Sequence, residues 1–239
     1  MRPRSARSDR SNPRLLGAAA FPLLLLLLCG AGQIALCGCG GAIMGPRQLV
    51  PDPRWLQAGK EMEDGFLISR LEGAEIKVKY LGVGELLQLL NANSDDPPAF
   101  TAGSAELEGL TPFLLQISNQ GPAPLILEVQ HAQLEGNRGG RLYSLEYTDI
   151  YEIFSEDRDA DRKIRILARL LLPSSPLLPG ESRQGLLLFG PLDAKAKGAV
   201  LRFSFLAAGK PLKSHVCIFP FAVEPLRPTP GGTGSGGRS

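Results

Sequence analysis

AEIKVKYL, residues 74–81, is the stretch of this sequence that decides its fold class. Its apolar residues alternate with charged ones, and this period of two predicts a strand with one buried face and one solvated face. FLISRL (66–71) comes just before it and can pair with it through the Glu72-Gly73 turn. The pair predicts an antiparallel hairpin.

Further apolar runs lie on the C-terminal side of this hairpin, and turn residues separate them. These runs cover residues 113–117, 124–130, 141–147, 185–190, 199–206 and 215–223. Eight short runs with regular turns predict an all-β sandwich. The run at 185–190, GLLLFG, does not alternate, so we expect it to be buried on both faces of its sheet.

Two segments favour helices. GVGELLQLLNAN (82–93) has leucines at helical spacing. DRKIRILARLLL (161–172) fits a helix and a strand equally well by spacing. Asp161 can cap a helix there and Pro173 can stop it, so a helix is predicted.

Charge is distributed unevenly along the chain. Residues 1–39 carry five arginines against the single acid Asp9, whereas the remainder has 21 Lys and Arg against 23 Asp and Glu. The basic excess therefore belongs to the N-terminus. A near-neutral body lacks the excess of positive charge that nucleic-acid-binding proteins use, so no nucleic-acid partner is predicted.

The N-terminus has the pattern of an export signal. Its arginines precede the uncharged run LLGAAAFPLLLLLL (15–28), which has the length of the apolar region of a secretion signal. The charge asymmetry predicts that the arginines stay on the cytoplasmic side.

The residues that follow contain a short motif, Leu36-Cys37-Gly38-Cys39. This motif resembles the lipobox of bacterial lipoproteins, in which an aliphatic and a small residue precede the lipidated cysteine. The resemblance implies cleavage after Gly38, a lipid on Cys39 and anchoring in a membrane. Gly40 after the cysteine implies sorting to the outer membrane, facing the periplasm or the exterior.

Other interpretations of the leader stay open. Residues 15–46 carry no charge and could serve as an uncut signal anchor in the inner membrane. Cleavage after Gly32 would release a soluble secreted protein, and a buried core helix is the remaining alternative.

The predicted organisation has four segments. These are a signal peptide (1–38), a lipidated N-terminus with a flexible, Gly- and Pro-containing tether (39–60), a β-sandwich domain (61–224) and a disordered tail (225–239).

A second resemblance concerns the sandwich. LLQISNQGPAPLIL (114–127), LLPGESRQGLLLFGPL (177–192) and LRFSFL (201–206) resemble the immunoglobulin-like domains of uncharacterised secreted bacterial lipoproteins. The resemblance implies a mainly β fold, an immunoglobulin-like antiparallel sandwich with one or two short helices. It covers roughly residues 111–206 and carries no functional residues.

The body has no recognisable catalytic motif. No Gly-x-Ser-x-Gly elbow occurs, and the only histidines, His131 and His215, are predicted to be exposed ends of strands. No metal site or cofactor is predicted, because no Cys or His pair has ligand spacing. Cys217 is expected to be a buried, small apolar residue.

Three aspartates, Asp157, Asp159 and Asp161, loosely resemble a calcium loop. Such a loop needs glycine at its sixth position and glutamate at its twelfth, where this chain has Arg162 and Ala168. A solvated, charged connection is therefore predicted.

Three tyrosines give the most suggestive surface feature. Tyr143, Tyr147 and Tyr151 are four residues apart, so they would share one face of a helix, and Tyr143 and Tyr147 would share one face of a strand. Tyrosine is enriched at recognition surfaces because it buries area and keeps a polar tip. The alternative is that these rings pack inside the sandwich.

Together these features predict a non-catalytic accessory lipoprotein of the cell envelope that binds another envelope protein or component. The alternatives are an envelope hydrolase that uses a dispersed pair of carboxylates and a structural spacer.

Overall fold

The computed structural model describes residues 47–57, 61–94, 98–209 and 211–226. The predicted signal peptide, Cys39 and nearly all of the predicted tail lie outside these residues. In the described ranges, no helix is both long enough and apolar enough to cross a bilayer.

The described residues form eleven strands and five α-helices. The strands are β1 (Arg47–Pro51), β2 (Glu61–Glu63), β3 (Phe66–Leu71), β4 (Ala74–Tyr80), β5 (Thr111–Asn119), β6 (Leu125–Leu127), β7 (Gln133–Gly136), β8 (Arg141–Tyr143), β9 (Ser182–Phe189), β10 (Gly198–Ala207) and β11 (Lys213–Pro225). The helices are α1 (Pro53–Gln57), α2 (Val83–Ala92), α3 (Ala105–Glu108), α4 (Tyr147–Phe154) and α5 (Ala160–Leu170), and one turn of 3-10 helix covers Val129–His131.

The strands form two antiparallel sheets. One has the order β1-β11-β10-β7-β8, with β6 also paired to β10, and the other has the order β2-β3-β4-β5-β9. The two sheets pack on a shared apolar core, as in a β-sandwich. The predicted fold class, mainly β with short helices, is confirmed, although the described residues contain five α-helices where one or two were predicted.

Two apolar cores hold the molecule together. The first lies between the sheets and includes Phe113, Phe189 and Phe221. The second joins α2, α4 and α5 to the outer face of the five-stranded sheet, where Leu186 and Leu188 of β9 contribute. Strand β9 is therefore buried on both faces, as its continuous apolar run predicts.

The predicted hairpin forms as expected. Glu72 and Gly73 both have positive φ, at 47° and 82°, which fits a two-residue turn between antiparallel strands. A second hairpin of the same kind, at Asp64 and Gly65 (φ 49° and 81°), joins β2 to β3. At the Pro-Gly-Glu turn before β9, Gly180 has a φ of 80°, which glycine adopts without strain.

The prediction of a flexible tether is wrong for residues 47–57. Arg47–Pro51 is an edge strand paired with Phe221–Pro225 of β11, so regular structure begins well before residue 61. Proline is tolerated at both places where it interrupts this segment, because Pro51 ends an edge strand and Pro53 opens helix α1. Trp55 then anchors the helix, since it is buried and its ring centroid lies 5.7 Å from that of Phe219.

Both predicted helices are present as α2 and α5. Helix α5 begins one residue before Asp161, so Asp161 lies in its first turn and Asp159 occupies the capping position. The helix ends at Leu170, three residues before Pro173.

Candidate interaction site

The three tyrosines lie on the surface. Tyr143 is on the edge strand β8, whereas Tyr147 and Tyr151 are one turn apart on α4 and therefore share a face of that helix. Their exposed fractions are 55%, 55% and 51%. The alternative that these rings pack inside the sandwich is wrong.

The sequence around α4 explains why two of these rings point outward. The predicted strand over residues 141–147 ends at Tyr143, and the backbone N–H of Glu146 donates to the Asp149 carboxylate (2.7 Å) where the helix starts. Ile150 and Phe154, each three residues after one of these tyrosines, are buried and lie about 60° around the helix axis from them. Tyr147 and Tyr151 thus lie at the solvent-exposed border of the buried stripe of α4.

Two separate segments of the chain, one at Leu145 and one at Leu172, each form a backbone hydrogen bond with the outer edge of β9, and a crevice lies between them. The N–H of Leu145 donates to the carbonyl of Leu188 (2.7 Å), and the N–H of Leu172 donates to the carbonyl of Leu186 (2.9 Å). The crevice has a volume of about 490 Å³, within the range of ordinary ligand pockets. Tyr147 is part of its lining.

The lining of this crevice is apolar with a few polar groups. The apolar part includes Leu145, Leu171, Leu172, Pro173, Leu186 and Leu187, and the polar part includes Gln130, Ser144, Glu146 and Ser174. The Ser144 hydroxyl is fixed because it donates to the carbonyl of Val129 (2.7 Å). Glu146 is the one carboxylate among the described lining residues. This arrangement can accept an apolar side chain and offer hydrogen bonds around it.

The two histidines occupy different environments. His131 is exposed, as predicted, although it ends a 3-10 turn rather than a strand. The prediction for His215 is wrong, because its ring is half-buried within β11 and stacks on Phe205 with centroids 5.1 Å apart. Cys217, two residues further, is buried as predicted.

The acidic connection before α5 is less solvated than predicted. Lys163 is only 8% exposed, and its ammonium lies 5.7 Å and 5.9 Å from the ring centroids of Phe100 and Phe154. It donates to the Asp157 carboxylate, which also accepts the N–H of Asp159, and both bonds hold the pKa of Asp157 below its usual range. The packing of α4 against α5 buries this lysine, which residue counting along the chain could not reveal.

No group of three or more His, Cys, Asp and Glu side chains suited to a metal ion occurs among the residues that the structure describes.

The chain was compared with known families, proteins and structures. No family model matches it, and no curated protein matches it. The similar solved structures include a DUF4426 family protein from Pseudomonas aeruginosa, with 8% identity over 66% of this chain and 96% of that one and a TM-score of 0.30.

Two further solved structures are similar at comparable levels. A protein from Listeria monocytogenes, itself described as functionally unknown, has 12% identity over 74% of this chain and 88% of that one, with a TM-score of 0.33. A structural-genomics target has 13% identity over 66% of this chain and 86% of that one, with a TM-score of 0.29.

Proposed function

We propose that this chain is a non-catalytic, membrane-anchored interaction protein of the cell envelope, and that its sandwich binds another envelope protein or component through the tyrosine crevice. The tyrosine crevice is the cleft beside α4 together with Tyr147, Tyr151 and the neighbouring Tyr143. The observation that carries this proposal is the exposure of three tyrosines, each more than half exposed, within nine residues, of which Tyr147 lines an apolar cleft.

Exposed tyrosines suit protein recognition for physical reasons. Each ring buries a large area when a partner covers it and loses little conformational entropy, because only two side-chain torsions become fixed. An adjacent apolar cleft lets a partner insert one anchoring side chain, and such anchors contribute most of the affinity of many interfaces. Tyr147 is placed to contact both the anchor and the surrounding surface.

The proposed location in the cell envelope rests on the N-terminal sequence. The arginine-rich start and the apolar run at 15–28 direct the chain to export, and Cys39 is proposed as the lipid-bearing residue. Several acyl chains would hold the protein stably at a membrane. The outer membrane, facing the periplasm or the exterior, is the proposed site, and an uncut signal anchor in the inner membrane is the alternative.

A wide cleft with two lining carboxylates bears on the hydrolase alternative. Asp52 and Glu135 both line a cleft of about 760 Å³. However, hydrogen bonds from Arg54 lower the pKa of Asp52, and Glu135 lies 3.4 Å from the Arg202 guanidinium. A general acid at neutral pH needs a raised pKa, so this pair does not favour the alternative.

The lipid on Cys39 can be tested by the intact mass of the protein extracted from membranes. We expect a mature chain that begins at Cys39 and carries added acyl mass, and we expect Cys39→Ala to lack that mass because it removes the thiol. Cys37→Ala is the matched control and should leave the lipidated mass unchanged apart from the discarded leader. An uncut leader, or a shortened chain without acyl mass, would refute the assignment of Cys39.

The tyrosine crevice can be tested by photo-crosslinking in intact cells. A benzophenone amino acid in place of Tyr147 or Tyr151 should give a discrete crosslinked band, because a bound partner covers these rings. The same label at Leu178, which is also half exposed (51%), should give no such band. Labels that react equally at all three positions would contradict a specific interface at α4.

A further inference from the structure

Strand β11 has an outer edge that is only partly covered. Strand β1 pairs with Phe221–Pro225 and stops there, because the chain leaves the sheet at Asp52. On that side of Lys213–Pro220, no strand pairs with β11 among the described residues. The open part is about 23 Å long at about 3.3 Å per residue, which is enough for a strand of ordinary length.

The backbone groups along this open edge can be assigned from the register. The N–H of Asp52 donates to the carbonyl of Pro220 (3.1 Å), so the carbonyl of Pro220 points away from β10. In an antiparallel ladder the N–H and C=O of one residue point to the same side and alternate along the strand. The backbone groups of Ser214, Val216 and Ile218 therefore point outward.

Two of these three positions carry exposed apolar side chains. Val216 is 53% exposed and Ile218 is 44% exposed on the outer face of the sheet. Just inside the edge lies a groove of about 530 Å³, which Ser69 and Leu71 of β3 line from the other sheet and Trp55 lines from α1. Among the described residues, the pairing of β2 with β3 ends at Ile68.

We propose that this open edge binds an extended segment of another protein as an additional antiparallel strand. Such a segment would continue the line of β1 beyond Asp52 and satisfy the outward backbone groups of Ser214, Val216 and Ile218. Main-chain hydrogen bonds supply affinity in this mode of recognition, and alternate side chains supply specificity. The segment needs apolar side chains at the alternate positions that lie beside Val216 and Ile218, whereas its intervening side chains face the groove.

The two segments 40–46 and 227–239 fit this edge poorly. Residues 227–239 contain five glycines and two prolines and no apolar side chain, which is a poor composition for a strand. On the N-terminal side this inference rests on the proposed function, which anchors Cys39 at a membrane. The seven residues 40–46 then extend at most about 25 Å, whereas the far end of the open edge lies about 40 Å along the sheet from Arg47.

A second copy of the chain fits less well than a different protein. A two-fold antiparallel pairing centred on Val216 would place Lys213 of one copy opposite Phe219 of the other. Lys213, which pairs with Glu72 in its own chain (3.6 Å), would then lie near the Arg54–Asp52 ion pair that borders the same groove. Lysine at an open edge is a recognised obstacle to self-pairing.

The test uses the full chain in detergent micelles and a phage library of random 12-residue peptides as the probe. We expect enriched peptides with alternating apolar residues, and at least tenfold weaker binding of a synthesised peptide to Val216→Pro. Proline removes the outward N–H without breaking a bond to β10. Val216→Thr keeps that N–H and should bind normally. N-methylation of alternate peptide residues should also abolish binding, which tests strand pairing even if Val216→Pro folds poorly.

Several outcomes would overturn this inference. These are a library without enriched peptides, equal binding to Val216→Pro, tolerance of N-methylation, and a dimer of this chain that Val216→Pro dissociates. Loss of peptide binding in Tyr147→Ser would also overturn it, because the site would then be the tyrosine crevice. The photo-crosslinks at Tyr147 and Tyr151 test the proposed function separately, so the two can fail independently.

Discussion

Replacing Phe113 with alanine is expected to lower the free energy of unfolding by about 3–5 kcal/mol. The ring is fully buried between the sheets and lies 5.9 Å, 5.8 Å and 5.1 Å from the rings of Tyr80, Phe189 and Phe221, measured between centroids. Its removal leaves a cavity, which the two sheets cannot close without sliding past each other. Urea denaturation followed by tryptophan fluorescence measures the change, since Trp55 is buried in the same core.

Phe113→Leu is the matched control for this change. It keeps most of the apolar volume and should cost clearly less than the alanine variant, because the remaining cavity is smaller. A loss below about 1 kcal/mol for Phe113→Ala would mean that the sheets collapse around the vacancy and that Phe113 is not central to the packing.

Gly73→Ala is expected to destabilise the protein by about 2 kcal/mol more than Gly139→Ala. Both glycines have positive φ, at 82° and 88°, so alanine is strained at either position. A Cβ atom on Gly73 would lie 2.6 Å from the Cα of Gly121, whereas one on Gly139 would meet nothing within 4 Å. The difference between the two variants, measured by thermal or urea denaturation, isolates the close approach of two backbones.

Equal losses for the two glycine variants would contradict this account of the β3–β4 hairpin. They would mean that the loop at Gly121 moves away at no cost. The N–H of Gln120 donates to the carbonyl of Gly73 (2.6 Å) and opposes such a movement.

The elements that the sequence predicts well are those with local causes. Strand β3 has the bounds of its quoted run, and β4 begins at Ala74 as quoted and ends one residue earlier, at Tyr80, because alternation and a two-residue turn act within a few residues. Helix α5 forms as predicted, with Asp161 in its first turn rather than at its cap. In each case the cause lies in neighbouring residues.

The elements that the sequence misses depend on distant partners. Strand β1 is five residues long, contains a proline and is stable only because β11 lies beside it. Strand β8 is shorter than predicted, since the pattern RLYSLEY continues in sequence after pairing with β7 has ended at Tyr143. The alternation of apolar and polar residues does not show at which residue the pairing with a neighbouring strand ends.

The candidate site was predicted only in part. The three tyrosines could be chosen from the sequence by residue type and spacing, but their exposure could not, because Ile150 and Phe154 on the adjacent stripe of α4 are buried. The crevice depends on Leu145 and Leu172, which both donate backbone hydrogen bonds to the edge of β9 and are 27 residues apart in the chain. No pattern of residue types within a short stretch of sequence indicates that these two segments lie side by side.

The pairing of the first strand with the last sets the time at which this protein can fold. Arg47 lies opposite Pro225, so the six-stranded sheet cannot close until almost the whole described chain is available. Contacts between such distant residues make sandwiches slow to fold, on the scale of milliseconds to seconds. A chain exported N-terminus first would therefore cross the membrane before its sandwich can close, and its native state would form only on the far side.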